Sequence, residues 1–251
     1  MSQAEVTLWR VGVIIPVYNE VENIELVLRE IKSLPANPAY RLDIVVVDGG
    51  STDGTVEVAN QTGVRVVRQR GRGYGAACYT GFEEAASAQI LIFLDGDYSD
   101  PPAAIPVLLE KMLAEKADLA LGSRTLGRFE KGALPLHARL GNRLVVWIIN
   151  QLYGSRYSDL PSFKAIRREA LTSFQMRELT YGWTTEMLVK AARSGCKSVE
   201  IPLDYRRRQG GQSKVSGNLK GSLKAAYYLL KTALRYFRWQ PLSKTTAASA
   251  K

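Results

Sequence analysis

Ile90-Leu91-Ile92-Phe93-Leu94-Asp95-Gly96-Asp97 is the stretch on which the reading of this chain turns. Its five apolar residues suit a buried strand, and the run stops at two carboxylates separated by one glycine. Both carboxylates can turn toward one ligand where the strand ends, and hard oxygen donors of this kind suit Mg2+ or Mn2+ bridging a diphosphate. Asp and Gly are also common turn residues, so D-x-D acquires meaning only from its surroundings.

Further strand-like runs stand at Val11–Val17, Ile44–Val47, Val64–Arg68 and Leu119–Leu121, separated by segments of helical periodicity. That alternation predicts an α/β fold, a mostly parallel sheet flanked by helices. Val21, Ile24, Leu28 and Ile31 repeat at helical spacing, with Asn19 placed to cap and Glu22 three residues on. Pro101 to Lys116 opens with two prolines and carries Ile105, Leu108, Leu109 and Met112, which predicts a second helix.

In an open parallel sheet, ligands gather where strands run into loops at their carboxyl ends. Here those ends read Pro16-Val17-Tyr18-Asn19-Glu20, Asp48-Gly49-Gly50-Ser51-Thr52-Asp53-Gly54-Thr55, Arg70-Gly71-Arg72-Gly73-Tyr74-Gly75 and Asp95-Gly96-Asp97. Four polar loops on one edge are expected to build one site. Asp48 ends a buried strand, where an unpaired carboxylate is costly and a base or ribose donor could use it. Asp53 is read as the cap of a helix starting near Thr55. Gly71, Gly73 and Ala76 fit G-x-G-x-x-A, the dinucleotide-binding spacing. That fingerprint belongs after a first strand, whereas this loop follows the third and is basic.

The chain has 251 residues and a net charge of +10, and the charge is unevenly placed. Residues 205–251 carry eleven of the 34 Lys and Arg and no Asp or Glu, which leaves 23 basic against 24 acidic side chains in the first 204. A near-neutral body with a basic tail is expected to face something anionic: phosphate, nucleic acid or acidic lipid. The first ten residues lack a basic start followed by an apolar block, and no apolar run approaches bilayer-spanning length, so a cytoplasmic chain is expected. Cys78 and Cys196 match no metal or redox spacing and read as free thiols.

Gly217–Trp239 is helical in pattern, with Leu219, Leu223, Ala226, Leu230, Ala233 and Phe237 on one stripe. Lys220, Lys224, Lys231, Arg235 and Arg238 make a second stripe. This basic amphipathic helix can pack on the body and still offer its charged face to anionic lipid. The expected organisation is a catalytic unit over 1–216, the amphipathic helix over 217–240 and a disordered tail over 241–251.

In ordered combination the motifs resemble the inverting family-two glycosyltransferases of GT-A (Rossmann-like) fold, and within them the dolichol-phosphate mannose synthase and polyprenyl-phosphate glycosyltransferase group. The resemblance spans Val11 to Arg208 or beyond and rests on Ile15–Glu20, Asp48–Thr55, Asp95-Gly96-Asp97, Gly122-Ser123-Arg124, Ser162-Phe163-Lys164 and Arg208–Lys214. It implies that Pro16, Tyr18, Glu20 and Asp48 hold the nucleoside. It also implies that Asp95 and Asp97 serve ribose and metal, and that Arg208, Ser213 and Lys214 hold the donor diphosphate. Gly71 and Gly73 would let the backbone approach the donor closely. Three departures stand out: Ser99 occupies a position where the group has glutamine, Lys164 one where arginine is usual, and Thr184 another where glutamine is common.

The expected reaction moves a hexose from a UDP- or GDP-sugar to a polyprenyl phosphate. Departure of the diphosphate places negative charge that a metal, Arg208 and Lys214 would stabilise. A sugar-hydroxyl acceptor needs a base, for which Asp159 and Glu186 are the candidates, whereas a phosphate monoester is already largely dianionic and needs cationic anchors. Arg124 and Arg139 are the candidates for that role by analogy with the group's phosphate-binding arginines. The partners are then a nucleotide-sugar donor, a polyprenyl-phosphate acceptor and an anionic membrane surface at the cytoplasmic face, with room for a membrane-protein partner and no nucleic acid. A nucleotidyltransferase shares the sheet and acidic pair, but it usually has a glycine-rich basic loop where Pro16–Glu20 stands. A nucleic-acid binder would leave Asp48, Asp95 and Asp97 unexplained.

Overall fold

The computed structural model describes residues 8–210 and 219–241, with side chains in the second segment described from 226 onward. The strands are β1 (Trp9–Val17), β2 (Tyr40–Asp48), β3 (Arg65–Arg68), β4 (Ile90–Phe93), β5 (Leu119–Ser123), β6 (Lys164–Arg167) and β7 (Ser198–Pro202). The helices are α1 (Ile24–Lys32), α2 (Thr55–Gln61), α3 (Tyr74–Glu84), α4 (Ile105–Ala114), α5 (Leu136–Tyr153), α6 (Arg168–Phe174), α7 (Trp183–Arg193) and α8 (Leu219–Arg235).

All seven described strands join one sheet in the order β3-β2-β1-β4-β6-β5-β7. It is parallel except for β6, which runs antiparallel to both β4 and β5. Successive residues of the central strands feed opposite faces, as the pleat requires. Ile14, Val47, Leu91, Phe93 and Leu121 enter one core, with Cys78 of α3, Ile149 of α5, Met187 of α7 and Ala233 of α8. Val13, Ile15, Val46, Ile90 and Ile92 enter the other, with Leu28 of α1 and Leu109 of α4. A sheet covered on both faces reads as continuous apolar runs rather than alternation, which is why these strands are legible in the sequence.

Several local expectations need correction. The first helix starts at Ile24; Asn19 lies well before it at φ +53° and its side chain accepts from Thr52 N–H at 2.9 Å instead of capping. The 101–116 segment is a short 3-10 turn at 102–104 followed by α4. Asp53 does not cap α2 directly, because Gly54 holds the cap position; its carboxylate accepts from Thr55 N–H at 3.0 Å and Val21 N–H at 3.1 Å. Neither β6 nor β7 was expected. Both are short, β6 opens on a lysine and β7 lies at the sheet edge with Glu200 in its middle, so neither carries the apolar run that marks β1, β2 and β4.

In α8, Thr232, Ala233 and nearby Tyr236 are buried, so the end of this helix packs on the body, and Tyr153 of α5 donates its hydroxyl to the Ala233 carbonyl. Phe237, expected on the apolar stripe, lies beyond the helix end and is 45% exposed. Residues 242–251, and the Lys220 and Lys224 side chains, lie outside the described ones. No helix among the described residues is long and apolar enough to cross a membrane. Cys78 is buried and Cys196 half-buried, both as free thiols.

Candidate active site

The strand order reverses direction between β1 and β4, so the loops leaving these neighbours diverge and open a crevice at the carboxyl end of the sheet. An open cleft of about 920 Å³ occupies that position. Pro16, Tyr18, Glu20, Gly73, Asp95, Asp97, Arg124 and Arg208 all line it, from segments spread over nearly two hundred residues.

The first two loops are fastened to each other. Asn19 N–H donates to Ser51 Oγ at 2.9 Å, Thr52 N–H to Asn19 Oδ1 at 2.9 Å, and Glu20 N–H to Thr55 Oγ1 at 2.9 Å. Asp48 is buried and engaged: it accepts from Gly50 N–H at 2.9 Å and Ser51 N–H at 3.0 Å. The loop's own N–H groups thus meet the cost of burying this carboxylate, and Asp48 is not among the residues lining the cleft, whereas its neighbour Gly49 is. Gly71 is not among the residues lining the cleft. Gly73, at φ +106°, and Gly75 sit where a Cβ would strike the backbone around Leu179, and Ala76 N–H donates to Leu179 O at 2.9 Å. Gly73, Gly75 and Ala76 thus serve close packing of α3 on the 178–180 segment, whereas a Cβ at Gly71 would meet only Ala76.

The Asp95-Gly96-Asp97 loop is crossed by the segment after β7. Arg206 N–H donates to Ser99 O at 2.9 Å, and this brings Arg208 into an ion pair with Asp97. Arg208 also approaches Glu20 at 3.5 Å, so one guanidinium joins the first loop to the acidic one. Asp97 additionally accepts from Ser99 N–H at 2.9 Å. Asp95 Oδ1 and Asp100 Oδ1 are buried and accept no hydrogen bond. Burial, then the neighbouring Asp97 charge, pushes the Asp95 carboxyl up. Burial followed by the charge of Asp95 pushes Asp100 up to about 7, although Ser162 Oγ donates to it at 2.6 Å.

Buried carboxylate oxygens without donors are what a hard cation would relieve, and Asp95 and Asp100 supply them, so Asp95 fits a divalent metal. Asp97, two residues on, is paired with Arg208 and would join as a ligand only by exchanging that partner for the cation. The described residues hold no cluster of three His, Cys, Asp or Glu able to bind one alone. Oxygens from a diphosphate and water would have to complete the shell, the usual habit of Mg2+ at phosphate sites.

Behind Asp95 lies Lys164, fully buried at the head of β6. Its ammonium donates to Pro161 O at 3.0 Å, Ser162 O at 2.8 Å and Thr184 Oγ1 at 3.0 Å, which uses all three protons. Burial pulls this amine down to about 8. Two of the three departures from the resembled pattern, Lys164 and Thr184, are thus hydrogen-bonded to each other.

Arg124, expected to anchor an acceptor phosphate, is instead committed to Asp159. Nε and Nη2 donate to Asp159 Oδ2 and Oδ1 at 2.8 Å each, and Arg124 N–H adds a bond at 2.9 Å. Asn142 Nδ2 and Leu160 N–H, both at 2.7 Å, occupy Asp159 further. Burial raises the Asp159 carboxyl, but the Arg124 charge and these donors outweigh it and hold the group below the usual range. A fully buried carboxylate with five donors is a poor base, so that expectation is corrected. Glu186 is corrected likewise: it is buried in α7, away from the cleft lining, paired with Lys190 at 2.6 Å and bonded by the N–H groups of Arg177 and Glu178.

Arg139 lines a small side cavity of about 70 Å³ with Arg124, Arg143 and Phe129, its guanidinium 4.4 Å from the centre of the Phe129 ring. Ser213 and Lys214 lie outside the described residues. Among the lining residues that the sequence reading did not single out are Tyr205, whose ring lies 5.3 Å from the Arg124 guanidinium, and His137 and Asn142 of α5. Tyr205 directly precedes the Arg206–Arg208 run, the one signal that could have marked it.

The glycosyl transferase family 2 profile matches residues 12–174. An uncharacterized glycosyltransferase of Mycobacterium tuberculosis is 36% identical over 217 residues, 85% of this chain and 93% of its own length. An undecaprenyl-phosphate mannosyltransferase of Micrococcus luteus is 30% identical over 84% of this chain and 90% of its own. A dolichol-phosphate mannosyltransferase of Pyrococcus furiosus is 29% identical over 92% of this chain and 64% of its own. Among solved structures, glucosyl-3-phosphoglycerate synthase of M. tuberculosis, in complex with Mn2+, UDP and glucosyl-3-phosphoglycerate, superposes with a TM-score of 0.72. That likeness, at 24% identity, covers 94% of this chain and 82% of the synthase, and it extends to the sheet and its flanking helices. The profile covers the strands and loops that build most of the cleft, and the chain belongs to glycosyl transferase family 2, a glycosyltransferase of GT-A fold.

Proposed function

We propose that this enzyme moves a hexose from a nucleoside-diphosphate sugar to a polyprenyl phosphate at the surface of a membrane. The observation that carries the reading is the mixed lining of the cleft. Tyr18, Glu20, Asp95, Asp97 and Arg208 share it with apolar residues of α5 and α8, among them Ala138, Val145 and Leu229. A charged donor suits the first set and an isoprenoid phosphate suits the second.

Tyr18 and Glu20 would hold the nucleoside, and Asp95 and Asp97 a divalent cation. When bound, that cation would supply charge stabilisation to the departing diphosphate. Arg208, already beside Asp97, would follow the same charge as it grows, with Lys214 from the adjoining segment. A phosphate monoester has a second pKa of about 6 and attacks without a base, which agrees with Asp159 and Glu186 both being engaged elsewhere. Arg139 faces the side cavity and would anchor the acceptor phosphate, while the Arg124–Asp159 pair shapes the floor between them. The printed names of the M. luteus and P. furiosus relatives, both lipid-phosphate mannosyltransferases, favour this acceptor class.

The test is incubation with radiolabelled UDP- and GDP-hexoses, Mn2+ or Mg2+, and undecaprenyl or dolichyl phosphate, followed by organic extraction. Label in the organic phase is expected. Label transferred only to soluble hydroxyl acceptors would replace the lipid-phosphate reading.

A further inference from the structure

We propose that the outer face of α5 is the surface by which this enzyme seats itself on an anionic lipid bilayer, so that the cleft opens at the headgroup layer. The proposal deepens the function proposed above by naming the partner surface of that site, and it differs from attachment through the basic stripe of α8.

Leu136, Leu140, Leu144 and Trp147 follow one another at spacings of four, four and three, and therefore share one face of α5. Their exposures are 68%, 55%, 55% and 59%. Leu and Trp held this far into water along about three turns form a continuous apolar patch rather than scattered surface residues. The same helix supplies Ala138, Gly141 and Val145 to the cleft. One helix thus forms the wall of the site on its inner side and an apolar ridge on its outer side.

Charge identifies the occupant. From Lys131 to Ser158 the chain has no Asp or Glu, while Lys131, Arg139, Arg143 and Arg156 stand within it. Arg143 is exposed between Leu140 and Leu144. An apolar ridge whose own segment carries cations and no carboxylate, with a tryptophan at one end, matches an interfacial helix: the leucines enter the acyl boundary and Arg143 meets lipid phosphates. On the adjacent helix, Tyr227 is 61% exposed beside Ala226, which lines the cleft, and adds an amphipathic ring of the kind that favours the headgroup layer. Arg235 of α8, by contrast, is paired with Glu178 at 2.6 Å, which lowers the net charge of that face.

The experiment is flotation of the full chain with vesicles of phosphatidylcholine, alone or mixed with phosphatidylglycerol, and containing no acceptor. Wild type is expected to float with the mixed vesicles. Leu140→Ser/Leu144→Ser is expected to bind them roughly ten- to a hundredfold more weakly, since two partly exposed leucines lose their transfer into lipid. Leu140→Met/Leu144→Met should retain binding, and Arg143→Gln should weaken it on mixed vesicles alone. Both double variants alter exposed positions, and an unchanged melting temperature verifies their fold. A second measurement compares transfer to a short-chain, water-soluble prenyl phosphate with transfer to vesicle-embedded polyprenyl phosphate. The serine variant is expected to keep the first and lose most of the second. Wild type failing to float, or the serine variant floating equally well, overturns the proposal even if soluble transfer is normal. A wild-type dimer by light scattering that the serine variant splits, with vesicle binding unchanged, would assign the ridge to a second copy and overturn it as well. Absence of transfer to either prenyl phosphate instead removes the proposed acceptor and leaves the flotation result to decide the docking surface.

Discussion

Arg124 and Asp159, 35 residues apart, meet through two parallel hydrogen bonds of 2.8 Å, with the carboxylate fully buried and the arginine side chain 13% exposed. The pair ties the end of β5 to the loop before β6, and Asn142 brings α5 to the same carboxylate. Its charges satisfy each other, so neither residue has the freedom to move a proton or to be the chief anchor of an anion.

Removing one partner strands the other charge, at a cost of about 3–5 kcal/mol for a buried pair. Arg124→Ala and Asp159→Ala are therefore both expected to lower Tm by several degrees in calorimetry. A catalytic base would behave otherwise: an unchanged Tm with collapsed kcat in Asp159→Ala would return it to that role.

Nucleoside diphosphate is expected to raise Tm strongly only when Mn2+ or Mg2+ is present, because ligand binding to the folded state stabilises it by mass action. Asp97→Asn should remove most of that metal dependence. Thermal shift with and without EDTA measures it, and equal metal-dependent stabilisation in the variant would exclude Asp97 as a ligand.

The carboxyls at the base of the cleft also predict a pH dependence. Asp100 ionises near 7 in the folded protein, against about 3.9 when unfolded. The folded state therefore holds the extra proton across that window, and the stability of the metal-free protein should fall as pH rises from about 4 to about 7, then level off. Asp95, raised by burial, adds in the same direction. Divalent metal competes with those protons, so its affinity should climb over the same range. Denaturation at a series of pH values, comparing wild type with Asp100→Asn, reads the slope; a slope unchanged in the variant would show that Asp100 is not its source.

Arg208→Ala should lower the single-turnover rate more than it weakens donor binding, by roughly ten- to a hundredfold, because the charge it meets grows as the leaving group departs. A rise confined to the donor KM would make Arg208 a ground-state binder. Lys214→Ala, in the adjoining segment, is expected to follow the same pattern.

Local chemistry made much of this protein legible. Strands buried on both faces must be apolar throughout, so β1, β2 and β4 stand out as runs, and the polar loops at their carboxyl ends follow at once. The Asp95-Gly96-Asp97 pair and the neighbouring Pro16–Glu20 loop were recognisable because both are short, contiguous and placed immediately after such runs. What sequence could not fix was which side chains would satisfy one another. Asp159 and Glu186 looked like spare carboxylates until the fold supplied Arg124, Asn142 and Lys190. Asp53 and Asn19 looked like helix caps until two loops joined and gave them cross-loop partners. Lys164 and Thr184 each read as an isolated departure, yet they form one hydrogen bond of 3.0 Å beneath the cleft. Burial free energy depends on composition along a segment, and the chain carries it openly; the pairing of a buried charge depends on which distant group arrives within about 3 Å, and only the packed tertiary structure decides that.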